Sequence, residues 1–290
     1  MECLIGDYLN ARIDFQQSKK FYLHLGQTIK CGDVDYSQGN VFLNMGSFEQ
    51  AEECYSRALS YYKDNNDTNS IANSYRELGK VCQYREKIDD AMRYYQEAIQ
   101  LYNLLNDDKG KNVIIEYMAD VYRSIGEYDK ALEAVNVLLT QSNDNTEQRV
   151  ACRIYKLAGN VYGEKGFNEK AQQYLEKAYR LSLMTGEISL AMYILCDLGL
   201  VYYSLNDYSS AYDYFEQCQE FAEKLNSDYM KTVNLVNLSD TTFKMGDIER
   251  SKVYITRAAN INHNIGGLNS EIKRIQEEIA QKEGGQEKTS

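Results

Sequence analysis

Small residues recur along this chain at a spacing of forty: Ala11, Ala51, Ala91, Ala131, Ala171, Ala211 and Ser251, without a slip. A second series stands twelve positions ahead of it at Gly39, Gly79, Ala119, Gly159, Gly199 and Ser239. Small side chains at fixed spacing mark places where two helices approach closely, because a larger side chain would hold the backbones apart. A period of this length is the signature of a solenoid built from short supersecondary units. The 290 residues are therefore expected to form one elongated array, since no shift in composition interrupts the series.

The unit is legible around Gly39. Val41, Phe42 and Met45 lead to Gly46, and Phe48, Ala51, Tyr55, Ala58 and Leu59 follow. Apolar residues three and four apart on both sides of a glycine describe two amphipathic helices and a turn. The chain contains no proline, so nothing breaks the helix interiors. Gly46 recurs as Gly6, Gly126, Gly166 and Gly246, with Glu86 and Asn206 as departures, and supplies the left-handed conformation that ends a helix. Asp7, Ser47, Asp207 and Asp247 stand next as expected N-caps. Between units, Gly26, Asn66, Asn106, Gly186, Asn226 and Gly266 hold the corresponding turn, with Thr146 the exception. Tyr55, Tyr95, Tyr122, Tyr128, Tyr162, Tyr202 and Tyr208 fall on positions that pack between helices and are expected in the core.

The order Gly39, Phe42, Gly46, Phe48, Ala51, Tyr55, Ala58 resembles the tetratricopeptide repeat, and so does Gly199, Tyr202, Asn206, Tyr208, Ala211, Phe215, Cys218. The resemblance implies an all-α, right-handed α-solenoid of helix hairpins. Units of forty with Asn-Asp or Gly-Asp junctions look more like the Pins/LGN and rapsyn type than the shorter common repeat. Residues 1–267 are expected to hold six full repeats preceded by a partial one, which suggests a chain that begins inside a repeat. Leu268, Ile272, Ile275 and Ile279 form one apolar stripe on a capping helix expected over 268–283. A disordered tail is expected over 284–290.

The same resemblance implies that the first helix of each pair lines a peptide groove, and it fixes which positions face it. The early repeats place Asn40, Asn44, Arg76 and Lys80 there, the middle ones Arg123, Arg153, Lys156 and Asn160, and the late ones Tyr193, Leu200, Tyr203, Val236 and Phe243. A groove with a basic, Asn-bearing middle and an apolar C-terminal half fits a peptide with acidic residues at one end and apolar anchors at the other. Glu116 and Asp120 share the register and could instead neutralise the arginines internally. Lys156 and Asn160 begin the carboxylate clamp of chaperone-linked relatives, but Asp197, Val233 and Asn237 do not continue it.

Other functions find little support. A formal charge of −11 argues against nucleic acid, which needs a basic stripe. No apolar run is long enough to insert into a membrane. Seven cysteines without a Cys-x-x-Cys pair read as reduced, buried thiols of a cytoplasmic protein, and His24 and His263 read as isolated surface imidazoles. No phosphate loop, zinc motif or nucleophile elbow occurs, so neither an enzyme nor a cofactor is expected. The reading is a cytoplasmic adaptor for a protein or peptide ligand, with cytoskeletal or ciliary association an option. A trafficking adaptor similar to soluble NSF attachment proteins, or a regulatory fragment of a larger signalling or ciliary protein, are the alternatives.

Overall fold

A computed structural model describes residues 14–141, 147–261 and 268–286. Fourteen helices and no strand occur among the described residues. They are α1 (14–24), α2 (Thr28–Asn44), α3 (Phe48–Asp64), α4 (Thr68–Tyr84), α5 (Ile88–Leu105), α6 (Asp108–Ser124) and α7 (Tyr128–Gln141). There follow α8 (Gln148–Glu164), α9 (Asn168–Met184), α10 (Ile188–Ser204), α11 (Tyr208–Lys224), α12 (Asp228–Met245), α13 (Ile248–Ile261) and α14 (Leu268–Gln286). The chain divides within α7 into two compact units, Met1–Ala134 and Val135–Ser290.

In the first unit α2 packs on α3, α3 on α4, α4 on α5 and α5 on α6; in the second the same succession runs from α8 to α14. Within hairpins the helices meet where the small residues fall. Ala51, Ala91, Ala131, Ala171, Ala211 and Ser251 are all fully buried. A Cβ on Gly39 would meet the ring of Tyr55, and one on Gly159 would meet Leu175, so glycine here is set by helix approach. In the last hairpin the two serines replace contact with chemistry: the Ser239 hydroxyl donates to the Ser251 carbonyl and the Ser251 hydroxyl to the Ser239 carbonyl, each at 2.8 Å. Buried hydroxyls with such partners avoid the cost of an unmade bond.

The turns follow the expected spacing. Gly46, Gly126, Gly166 and Gly246 have positive φ, and so do the departures Glu86 (φ 57°) and Asn206 (φ 61°). The Gly46 N–H donates to the Leu43 carbonyl at 3.0 Å and the Ser47 N–H to that of Phe42 at 2.9 Å, satisfying the last carbonyls of α2. Asp207 and Asp247 accept from the Ser210 and Arg250 N–H groups as N-caps. Ser47 differs, because its side chain makes no capping bond to α3. Gly6, Asp7, Thr146 and Gly266 lie outside the described residues.

The tyrosines depart from expectation more widely. Tyr55 and Tyr95 are buried, but Tyr122, Tyr128, Tyr162, Tyr202 and Tyr208 are half-buried and keep one side on the surface. Tyr162 stacks on Tyr174 (centroids 5.5 Å apart) and Tyr202 on Tyr214 (5.1 Å). A phenol tolerates this placement because the ring packs while the hydroxyl stays wet. The six described cysteines are buried free thiols, as expected; Cys3 and His263 are outside the described residues, and His24 is exposed on α1. The last helix, α14, runs to Gln286 and so past 283, and the expected tail from 287 on is outside the described residues.

Candidate functional site

Within each unit the first helices of successive hairpins stand side by side, and polar bonds stitch their common face. In the first unit Arg76 of α4 is the hub. Its Nε donates to Glu77 at 2.8 Å, and its terminal nitrogens reach the hydroxyls of Tyr102 (3.3 Å) and Tyr36 (3.4 Å). Burial alone would weaken the guanidinium as a base; Glu77 and the two phenols outweigh it and raise its pKa. Burial and the nearby Glu77 push the Tyr36 hydroxyl up to about 12. Arg76 also lines a cavity of about 270 Å³ with Asp33, Tyr36, Tyr62, Ser70 and Asn73.

The other first-unit positions are unequal. Asn40 accepts from the Tyr55 hydroxyl at 2.7 Å and so anchors a core ring, while Asn44 is exposed at the end of α2. Lys80 is half-buried and pairs with no carboxylate among the described residues. Asp120 of α6 takes Arg123 through Nε (3.1 Å) and Nη2 (2.8 Å), and it also accepts from Gln83 of α4 at 2.8 Å. The internal neutralisation that Asp120 made possible in the sequence is thus realised at Arg123.

In the second unit Lys156 of α8 pairs with Asp197 of α10 at 3.0 Å, and Arg153 is half-buried beside the Cys152 thiol. The side-chain oxygen of Asn160 is buried without a hydrogen-bond partner among the described residues. On α10 Met192, Ile194, Leu195, Leu198 and Val201 are buried, while Tyr193 and Leu200 are 42% and 48% exposed and Ile188, at the start of the helix, is 39% exposed. Tyr193 and Leu200 stand two turns apart on one face, with Asp197 between them. The Tyr203 hydroxyl donates to Asp240 of α12 at 2.6 Å, and burial together with that carboxylate raises its pKa.

Two candidates leave this face. Val236 is 4% exposed and clusters with Ile272, Ile275 and Ile279 of α14, with Phe243 packed against the same cluster. Lys282 lies over the Phe243 ring at 4.8 Å, and Arg274 approaches Asp240 at 3.7 Å. The reason is positional: Ile279 occupies the next place in the Gly39 series, so α14 packs where another first helix would. Apolar residues that would face a ligand are covered by the chain itself. The stripe of α14 was visible in sequence, but the surface it covers was not.

Among the described residues no cluster of His, Cys, Asp and Glu could hold a metal ion, and no helix is long and apolar enough to cross a membrane. A ladder of small residues, helix hairpins in sequence order and a face of first helices define a helical-repeat interaction module. The profile of the tetratricopeptide repeat matches residues 33–103 and 150–224, half of the sequence, and the chain belongs to that family. Such repeats are interaction modules that generally lack catalysis.

Solved structures agree with the tetratricopeptide solenoid fold. BtubC (BKLC) from P. vanneervenii is similar with a TM-score of 0.63 and 20% identity, over 77% of this chain and 91% of that one. A STAND protein with a tetratricopeptide repeat sensor from Pyrococcus horikoshii gives 0.66 and 15%, over 94% of this chain, which spans only 40% of that protein. A Rap protein complexed with Competence and Sporulation Factor gives 0.66 and 14%, over 88% and 76%. No curated protein sequence matches the chain.

Proposed function

We propose that the chain is a non-enzymatic adaptor that holds a peptide segment of a partner protein against the face of its first helices. The observation that carries this reading is the exposed pair Tyr193 and Leu200 two turns apart on α10, in the midst of the buried Met192, Ile194, Leu195, Leu198 and Val201. Exposed aromatic and aliphatic groups beside polar residues are what a peptide's apolar anchors meet. Around them, Asn160 offers a buried amide oxygen without a donor, which a peptide N–H can satisfy. In the first unit, Lys80 is a cation left for an acidic side chain. Apolar anchors are therefore expected in a segment that meets the second unit and acidic residues in one that meets the first, and the proposed location is the cytoplasm.

The internal pairs of Arg76, Arg123 and Lys156 refine the expectation of a basic groove. A cation already bonded to a carboxylate positions a ligand more than it attracts one. The similar Rap protein, solved with Competence and Sporulation Factor, supports the reading that this fold takes a bound factor. Selection from a random peptide-display library against the purified chain tests the proposal. Enrichment of peptides with apolar anchors, lost on changing Tyr193 and Leu200, is the expected result for the second unit, and of acidic peptides, lost on changing Lys80, for the first.

A further inference from the structure

The second helices form clefts of their own, and two of them occupy the same register. One, of about 330 Å³, lies between α1 and α3 over α2; the other, of about 510 Å³, lies between α9 and α11 over α10. Positions four repeats apart line both: Lys19 corresponds to Tyr179, Phe42 to Tyr202, Glu53 to Asp213 and Arg57 to Gln217. In the first cleft the chain supplies its own cations. Lys19 reaches the buried Asp35 at 2.5 Å and Arg57 reaches it at 3.3 Å. In this register, then, a lysine and an arginine stand on the walls of the first cleft and turn to a carboxylate.

The second cleft lacks both of those cations. The position of Asp35 is taken by the buried Leu195, outside the lining, and the acids of this cleft are Glu176 and Asp213 on its walls. Neither carboxylate forms an ion pair among the described residues. Arg180 lies at the rim, but its Nε donates to the Glu176 backbone carbonyl at 3.3 Å, leaving the carboxylate untouched. Three phenols complete the walls, Tyr179, Tyr202 and Tyr214. The Gln172 amide fixes the arrangement in advance by donating to Glu176 at 2.9 Å and to the Tyr202 hydroxyl at 2.7 Å.

We infer that this cleft binds a cationic side chain, the arginine of a basic segment in a partner protein. Aromatic faces attract a guanidinium through their quadrupoles, and two carboxylates can take its N–H groups in pairs. Charge complementarity selects the occupant: two wall carboxylates against one rim arginine leave the cleft negative, in a chain of net charge −11. Burial, with Tyr202 and Glu176 adjacent, pushes the Tyr214 hydroxyl up to about 12, so the phenol stays neutral through the physiological range. The site is separate from the first-helix face, and a partner could occupy either.

The test uses the full chain with isotope-labelled tyrosine rings, titrated with N-acetyl-arginine amide and, in parallel, its uncharged isostere N-acetyl-citrulline amide. Saturable shifts at Tyr179, Tyr202 and Tyr214 with the arginine probe alone are expected. Glu176→Gln with Asp213→Asn should weaken the arginine probe about tenfold, the loss expected of charge-assisted hydrogen bonds. Gln217→Arg places a guanidinium where Arg57 stands in the first cleft, and should block the probe while leaving the fold intact by circular dichroism. Equal shifts from the citrulline probe, or unchanged affinity in a folded Gln217→Arg variant, would overturn the inference.

Discussion

Gly39 of α2 lies under the ring of Tyr55 of α3 so closely that a Cβ on the glycine would stand 2.7 Å from the ring. The ring cannot retreat easily: Tyr55 is fully buried, and its hydroxyl is held by Asn40 at 2.7 Å. Gly39→Ala should therefore destabilise by roughly 1–3 kcal/mol through overpacking, despite the better helix propensity of alanine. Chemical denaturation of wild type and variant measures it.

Glu86 ends α4 in the left-handed region at φ 57°, at a turn where five other repeats place glycine. A side chain with a Cβ costs about 1–2 kcal/mol in that conformation, part of which glycine returns as unfolded-state entropy. Glu86→Gly should thus stabilise by roughly 0.5–1 kcal/mol. A higher midpoint in the same denaturation experiment is the expected outcome; a lower one would show that the Glu86 side chain contributes something the turn geometry does not reveal.

Asp207 caps α11 by accepting from the Ser210 hydroxyl at 2.7 Å and its N–H at 3.1 Å, and these bonds hold its pKa below the ordinary carboxylate value. A depressed folded-state pKa means stability that is present above the unfolded pKa and lost as pH falls through the folded one. Asp207→Ala should lower the melting temperature at neutral pH, and the gap from wild type should narrow below about pH 4. A gap that stays constant into the acid range would contradict the cap.

At the alkaline end the buried thiols contribute. Burial pushes Cys82 and Cys152 up to about 11, from an ordinary value of 9.0. Because the folded pKa is raised, the stabilisation is complete below about pH 9 and is lost as pH rises toward 11. Stability curves should decline over that window, and Cys152→Ala should remove part of the slope.

How much of this was legible in sequence follows from what each feature depends on. The turn at Gly46 and the close approach at Gly39 are decided by local backbone conformation and by side-chain size, so spacing alone revealed them. The partition of Val236 and Phe243 was hidden, because it depends on α14 folding back over α12. The pairing of Arg123 with Asp120 was visible only as an option, since register brings charges near without fixing rotamers. The half-buried tyrosines failed for a related reason: the repeat pattern says that a ring packs, not how much of it remains wet.

The central proposal, that the face of first helices binds a peptide, is tested most directly by affinity. A labelled peptide selected from the display library is titrated by fluorescence anisotropy into wild type and into a Tyr193→Ser, Leu200→Ser variant. Both side chains are about half exposed, so the melting curve should move little. Loss of two apolar anchors should weaken binding at least about tenfold. Unchanged affinity with an intact melt would contradict the account and place the peptide elsewhere on the chain.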